Sequence, residues 1–185
     1  LNMVTGGPPP SPAPADTTAT MTASRVELVD LPGIYSLNAN SEDELVALDY
    51  LRGGEYELVI NVVDAANLQR NLFLTLQLIE MKVPLLVVLT MPDIAESQGT
   101  RVDAEHLSHH LGCPVVQVRA TRKDEVRKVR HALMASMLDP QVSSAKVSYP
   151  EAIDAQLEEW TDLLRPLPSD LGVHPRYTAL RLLDG

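Results

Sequence analysis

"ELVINVVDAANLQRNLFLTLQLIEMKVPLLVVLT", Glu57 to Thr90, decides the fold. "ELVINVVD" is a continuous apolar run, the signature of a strand covered on both faces. "NLQRNLFLTLQLIEM" sets Leu68, Leu72, Leu76 and Ile79 at helical spacing, which predicts one apolar face. "VPLLVVLT" is the next buried strand. Strand, helix and strand in succession predict parallel strands joined by a helical crossover.

The same alternation extends on both sides. Upstream, "VELVD" reads as a strand. "SEDELVALDYLRGG" reads as a helix, with Ser41 and Glu44 at capping-box spacing. Its acids Glu42, Asp43 and Glu44 suit the helix dipole. Leu45, Leu48 and Leu51 predict the inner face, and Gly53 and Gly54 the stop. Downstream, "DAEHLSHHLG" is a short helix begun by Asp103 and ended by Gly112. "PVVQVRA" is a strand and "DEVRKVRHALMASML" another helix. The predicted class is α/β: a parallel sheet with helices on both faces.

After Asp139 the strands stop. "YPEAIDAQLEEWTDLLRPL" reads as a helix with Pro150 at its start and Ile153, Leu157, Trp160 and Leu164 facing inward. "HPRYTALRLLDG" reads as a second helix begun by Pro175. The expected organisation is an N-terminal remnant over residues 1–25, an α/β domain over 26–140 and a helical appendage over 146–185. Within the remnant, "LNMVTGG" reads as a helix end stopped by Gly6. "PPPSPAPADTTATMTAS" reads as a Pro-rich flexible loop. The final helix stop predicts a piece cut from something longer.

Composition narrows the function classes. A net charge of −10, with four scattered lysines, argues against a nucleic-acid surface and against a polybasic membrane patch. A hydrophobic fraction of 45% is enough for a real core, and 4% aromatics means that aliphatic residues must build it. The single cysteine, Cys113, excludes an internal disulfide and a multi-cysteine zinc site. It reads as a core residue. The longest apolar run is too short to span a bilayer, and no signal peptide opens the chain.

In an open parallel sheet, ligands sit at the carboxyl ends of the strands. The residues there are Asp30–Gly33, Asp64–Asn67, Thr90–Asp93 and Arg119–Arg122. Turns and N-caps use the same residue types, so each cluster alone has an ordinary structural explanation. Asp30-Leu31-Pro32-Gly33 has the form D-x-P-G. A strand-end carboxylate can hold a water on Mg²⁺, and a glycine N–H three residues on can approach a terminal phosphate. In "VVLTMPDIAE", Asp93 follows a buried strand, where a carboxylate can accept two hydrogen bonds from guanine.

"VDLPGIYSL", "SEDELVALDYL", the long Leu58–Leu89 block and "HLGCPVVQVRATR" together resemble the cytoplasmic G domain of the ferrous iron transport protein B family. The tail through "RYTALRLLDG" is similar to that family's helical domain, and "LNMVTGG" to the segment after its phosphate-binding loop. The resemblance implies a P-loop-GTPase-like fold on the cytoplasmic side of the bacterial inner membrane, with the piece itself soluble. It implies GTP or GDP with Mg²⁺ as ligands, GTP hydrolysis coupled to Fe²⁺ uptake, and a membrane domain of the same transporter as partner. A homo-oligomer is a further possibility. Asp30 and Gly33, with Leu31 and Pro32 between them, match the switch II motif, with Asp30 on Mg²⁺ through water. Thr90, Met91, Pro92 and Asp93 match the guanine-specificity motif. Arg119, Ala120 and Thr121 match the loop that touches the base through backbone groups.

This sequence also departs from that pattern. No glycine in it is followed by lysine, so G-x-x-x-x-G-K-[ST] is absent. Nucleotide affinity is therefore expected to be severely reduced, and no catalytic residue is assigned. A Pro-rich segment stands in place of switch I, with Thr17 and Thr18 as candidates for its Mg²⁺ threonine. Thr90 replaces the usual asparagine, and Lys123 the usual glycine. The alternatives are a GTPase piece without its P-loop and a degenerate G domain that acts as a regulatory or interaction module. A ribosome-assembly type of GTPase fits the acidic charge and helical tail less well. His106 and His110 have the i, i+4 spacing of metal ligands, although with His109 they read first as a polar, solvent-facing helix surface.

Overall fold

The computed structural model describes residues 2–6, 26–119, 122–166 and 173–184. In chain order the elements are β1 (Asn2–Gly6), β2 (Val26–Asp30), α1 (Glu42–Gly53), β3 (Leu58–Asp64), a 3₁₀ turn (Ala65–Asn67) and α2 (Leu68–Glu80). There follow β4 (Leu85–Thr90), α3 (Pro92–Ser97), α4 (Ala104–Leu111), β5 (Val115–Gln117), α5 (Lys123–Leu138), α6 (Glu151–Leu164) and α7 (Pro175–Asp184).

The five strands form one sheet in the order β2-β1-β3-β4-β5. β3, β4 and β5 are parallel, as the strand–helix alternation predicts. β1 lies antiparallel between β2 and β3, so β2 and β3 still run in the same direction. This corrects the reading of "LNMVTGG" as a helix end. Asn2–Gly6 is a strand whose backbone groups are shared between two neighbours, an arrangement that suits its β-branched Val4 and Thr5. The Pro-rich segment and Thr17 and Thr18 lie outside the described residues.

Alternation along the strands divides the core in two. Val59, Val63, Leu85, Val87 and Leu89 face Ala47, Leu48 and Leu51 of α1 and Leu74, Leu78 and Ile79 of α2. Leu58, Ile60, Leu86 and Val88 face the other way, under Val129, Ala132, Leu133 and Met137 of α5. Helices therefore cover both faces. Burying each of these leucines contributes about 1.5–3 kcal/mol.

The helix ends follow the sequence closely. Ser41 Oγ accepts from the Glu44 amide at 3.2 Å, and Gly54 closes α1 in the left-handed region at φ 67°. Asp103 accepts from the amides of Glu105 and His106, and Gly112 ends α4 at φ 60°. The inner faces match the expected ones in part, with Leu48, Leu51, Ile79 and Leu157 buried as expected. Leu45 and Leu76 are exposed, while Leu74, Leu78 and Ile79 form the buried side of α2. In α6 Leu157 is buried and Ile153 exposed. α2 carries Leu68, Leu72, Leu74, Leu76 and Leu78, spread around much of its circumference, so tertiary packing sets which of them turn inward.

Candidate functional site

The two principal motifs lie at the same carboxyl edge of the sheet. Asp30 ends β2, and Asp64 and Thr90 end β3 and β4 as a register pair. Three strand spacings separate β2 from β4, roughly 14 Å across the sheet. Asp30 pairs with Asn2, which pairs with Ile60, so β2 stops about 13 Å short of the end of β3. The D-x-P-G segment continues from there.

Asp30 and Gly33 are exposed, and Leu31 is buried as the anchor of the turn. Gly33 has no heavy atom within 4 Å of where a Cβ would stand, so its backbone is open to approach. It borders a pocket of about 210 Å³ that Asn61 and Asn71 also line. Asn61 is buried and donates its amide to Thr75 Oγ1 at 2.8 Å. Sequence reading missed Asn61, although one polar residue inside "LVINVVD" was the available signal.

Beyond the turn the chain is held tightly. The Leu37 amide donates to Gln77 Oε1 at 2.8 Å, and the Leu37 carbonyl accepts from Tyr177 Oη at 3.2 Å. Gln77 Nε2 donates to Asn38 Oδ1 at 2.8 Å. Arg181 donates to Asn38 Oδ1 at 3.2 Å and to its carbonyl at 3.1 Å. Ala39 takes a left-handed φ of 60°, a strained conformation for a residue with a Cβ. Glu44 accepts from Ser36 Oγ and, at 2.9 Å, from the Asn40 amide.

At the end of β4, Thr90 Oγ1 donates to the Val63 carbonyl at 3.2 Å. The hydroxyl thus braces the end of β4 against the end of β3. Met91 sits in the left-handed region at φ 55°, buried Pro92 opens α3, and Asp93 is exposed in its first turn. Asp64 has the ordinary capping role. It accepts from the Ala66 amide at 2.8 Å and from Asn67 Nδ2 at 2.7 Å.

Arg119 is engaged within the protein through both its amide and its guanidinium. Its backbone amide donates to Glu125 Oε2, so that N–H is occupied within the protein. Its guanidinium lies 3.4 Å from Glu125 and 3.5 Å from Glu96, joining α5 to α3. The Arg119 amide, followed by its guanidinium, holds the buried Glu125 carboxyl below the usual carboxylate range. Pro92, Glu96, Gln117 and Arg119 line a cleft of about 710 Å³, which Asp93 does not line. Ala120 and Thr121 lie outside the described residues. Neither Glu96 nor Glu125 was singled out from sequence, where both look like ordinary exposed helix acids.

Among the described residues no helix is long and apolar enough to cross a membrane. Among them, too, no group of three or more His, Cys, Asp or Glu is arranged to hold a metal ion.

Comparison with known proteins agrees with this geometry. Residues 14–133 match the family model described as ferrous iron transport protein B. The chain is 40% identical over 169 residues to the Fe(2+) transporter FeoB of Escherichia coli K12, covering 89% of this chain and 21% of that protein. It thus spans about a fifth of the length of that curated relative. The cytosolic domain of L. pneumophila FeoB superposes with a TM-score of 0.74 at 30% identity, over 99% of this chain and 72% of that one. The cytosolic domain of the T. maritima FeoB iron transporter in a GDP form superposes with a TM-score of 0.77 at 30% identity, over 89% and 64%. A family match over residues 14–133, with the same fold in the solved relatives, means that this chain belongs to the ferrous iron transport protein B family, as its G domain.

Proposed function

We propose that the chain is the guanine-nucleotide domain of a ferrous iron transporter, one in which GTP binding and hydrolysis govern Fe²⁺ uptake through a membrane part of the same protein. The supporting observation is the placement of Asp30–Gly33 and Thr90–Asp93 at one edge of one sheet. An extended nucleoside triphosphate can reach from one motif to the other. Asp93 would accept hydrogen bonds from the guanine ring N–H and amino group, which is guanine-selective because adenine presents a different edge there. The GDP form of the T. maritima relative supports the same ligand class. On this reading the domain lies on the cytoplasmic side, with residues 146–185 as a helical appendage.

Mg²⁺ fits the phosphate side: Asp30 offers an exposed carboxylate at a strand end, and the space around Gly33 is open. When bound, the ion would offset phosphate charge. Asp30 would hold one of its waters, and Gly33 would turn its N–H to a phosphate oxygen. Thr90 keeps β3 and β4 aligned beneath the base. Because these 185 residues contain no G-x-x-x-x-G-K-[ST] loop, we propose that affinity is weak and hydrolysis impaired.

A second reading, a non-catalytic regulatory module with the G-domain fold, is favoured by Arg119. Its amide is engaged by Glu125 within the protein. Titration with a fluorescent GDP analogue in Mg²⁺, with a xanthine analogue as control, separates the two. Saturable guanine-selective binding that Asp93→Asn shifts toward xanthine supports the nucleotide domain. Weak binding by these 185 residues fits either reading, so absence of guanine-selective binding supports the regulatory module when it persists in a chain that also carries a G-x-x-x-x-G-K-[ST] loop.

A further inference from the structure

His106 and His110 belong to neither reading of the nucleotide site. α4 is held at both ends, by Asp103 capping two amides and by Gly112 closing the last turn. Leu111 is buried and Leu107 packs against the core, which turns the His106, His109 and His110 side chains to solvent. The Nε2 atoms of His106 and His110 stand 3.2 Å apart, with their rings edge to face.

Two nitrogens each about 2.0–2.1 Å from one ion are about 2.9 Å apart at a right angle and about 3.4 Å apart at a tetrahedral angle. The observed 3.2 Å lies between these values. The same helical spacing and the same ring nitrogen serve the two-histidine chelates of zinc enzymes. Without an ion, this distance is a hydrogen bond in which one Nε2 carries the proton. Shifting that ring to its Nδ1–H tautomer frees both lone pairs and keeps both rings neutral. The last turn of α4 and the net charge of −10 both favour a cation there.

We propose that His106 and His110 form a two-histidine site for a borderline divalent transition ion such as Zn²⁺ or Ni²⁺, with water filling the remaining positions. Imidazole favours this class over Mg²⁺ or Ca²⁺. With only two protein ligands, the site binds more weakly than a closed four-ligand zinc site.

The test is calorimetric titration of the full chain with Ni²⁺ and, separately, Zn²⁺. Variants H106Q, H110Q and H109Q are compared, with circular dichroism confirming their fold. One saturable site is expected, weakened in H106Q and in H110Q by more than the roughly tenfold that losing an outer-sphere partner costs. H109Q should bind as the parent does. Paramagnetic Ni²⁺ should broaden the His106 and His110 ring resonances first. Absence of saturable binding, binding that survives both substitutions, or binding lost in H109Q alone would each overturn the proposal.

Discussion

Tyr177 donates its hydroxyl to the Leu37 carbonyl at 3.2 Å, joining α7 to the segment after the D-x-P-G turn across 140 positions of sequence. The ring is buried, and desolvation raises its pKa. Tyr177→Phe removes the donor and leaves a buried carbonyl unpaired. The expected loss is about 1–3 kcal/mol, read as a lower urea midpoint at unchanged slope. An unchanged midpoint would mean that water replaces the hydroxyl.

Arg176 and Glu80 form the most deeply buried ion pair described, with Nε 2.8 Å from Oε2. Arg176 also reaches Asp154 at 3.3 Å and the Val147 carbonyl at 3.2 Å. Arg176→Ala strands the Glu80 carboxylate inside the protein, at a cost of about 3–5 kcal/mol. Thermal unfolding measures it. A loss below about 1 kcal/mol would place the pair among weak surface bridges.

Glu125 gives a pH dependence of definite sign. Its carboxyl is held below the ordinary range, first by the Arg119 amide and then by the Arg119 guanidinium. A depressed folded value means that its contribution is full above the unfolded-state pKa and is lost as pH falls through the folded one. Glu125→Gln should therefore flatten the acid limb of a stability-versus-pH curve. A variant whose acid limb parallels the parent's would contradict this.

Thr90→Asn tests the proposed base side directly. An asparagine can brace the loop and still present an amide, where the threonine hydroxyl is spent on Val63. Guanine-nucleotide binding should tighten roughly five- to tenfold, the equivalent of about 1 kcal/mol. Equilibrium titration of both proteins measures it, and equal affinities would show that Thr90 already supplies what the base needs.

Burial pushes the Cys113 thiol up to about 11. At pH 8 its thiolate fraction is then on the order of one in a thousand, so native labelling by a disulfide reagent should be slow and accelerate in denaturant. Fast labelling of the native chain would show that β5 and α4 open readily.

Sequence patterning disclosed most of this architecture because burial on both faces leaves continuous apolar runs, as in "LVINVVD" and "PLLVVLT". Caps at Ser41 and Asp103 and stops at Gly54 and Gly112 were legible because their chemistry is local. The inward face of α2 was legible only in part, since its leucines spread around much of its circumference. β1 escaped notice because five residues beside a proline-rich stretch carry no period of their own. The Arg119–Glu125 contact and the Leu37 clamp join residues through the fold, and nothing in a helix acid or a tyrosine advertises its partner.

The antiparallel strand Asn2–Gly6 has a mechanical consequence. Among the described residues β2 has no direct ladder to β3, and the sheet reaches Asp30 across this five-residue plank. Among the described residues, the D-x-P-G segment is thus moored by β1 on one side and by the Gln77, Tyr177 and Arg181 contacts on the other, with buried Leu31 between them. A proline at position 4, which removes an amide from the plank, would cast off the first mooring and leave the second fast. Asp30 would then drift relative to Asp93 while Leu37 stays in place, so the two ends of one short loop can lose their footing independently.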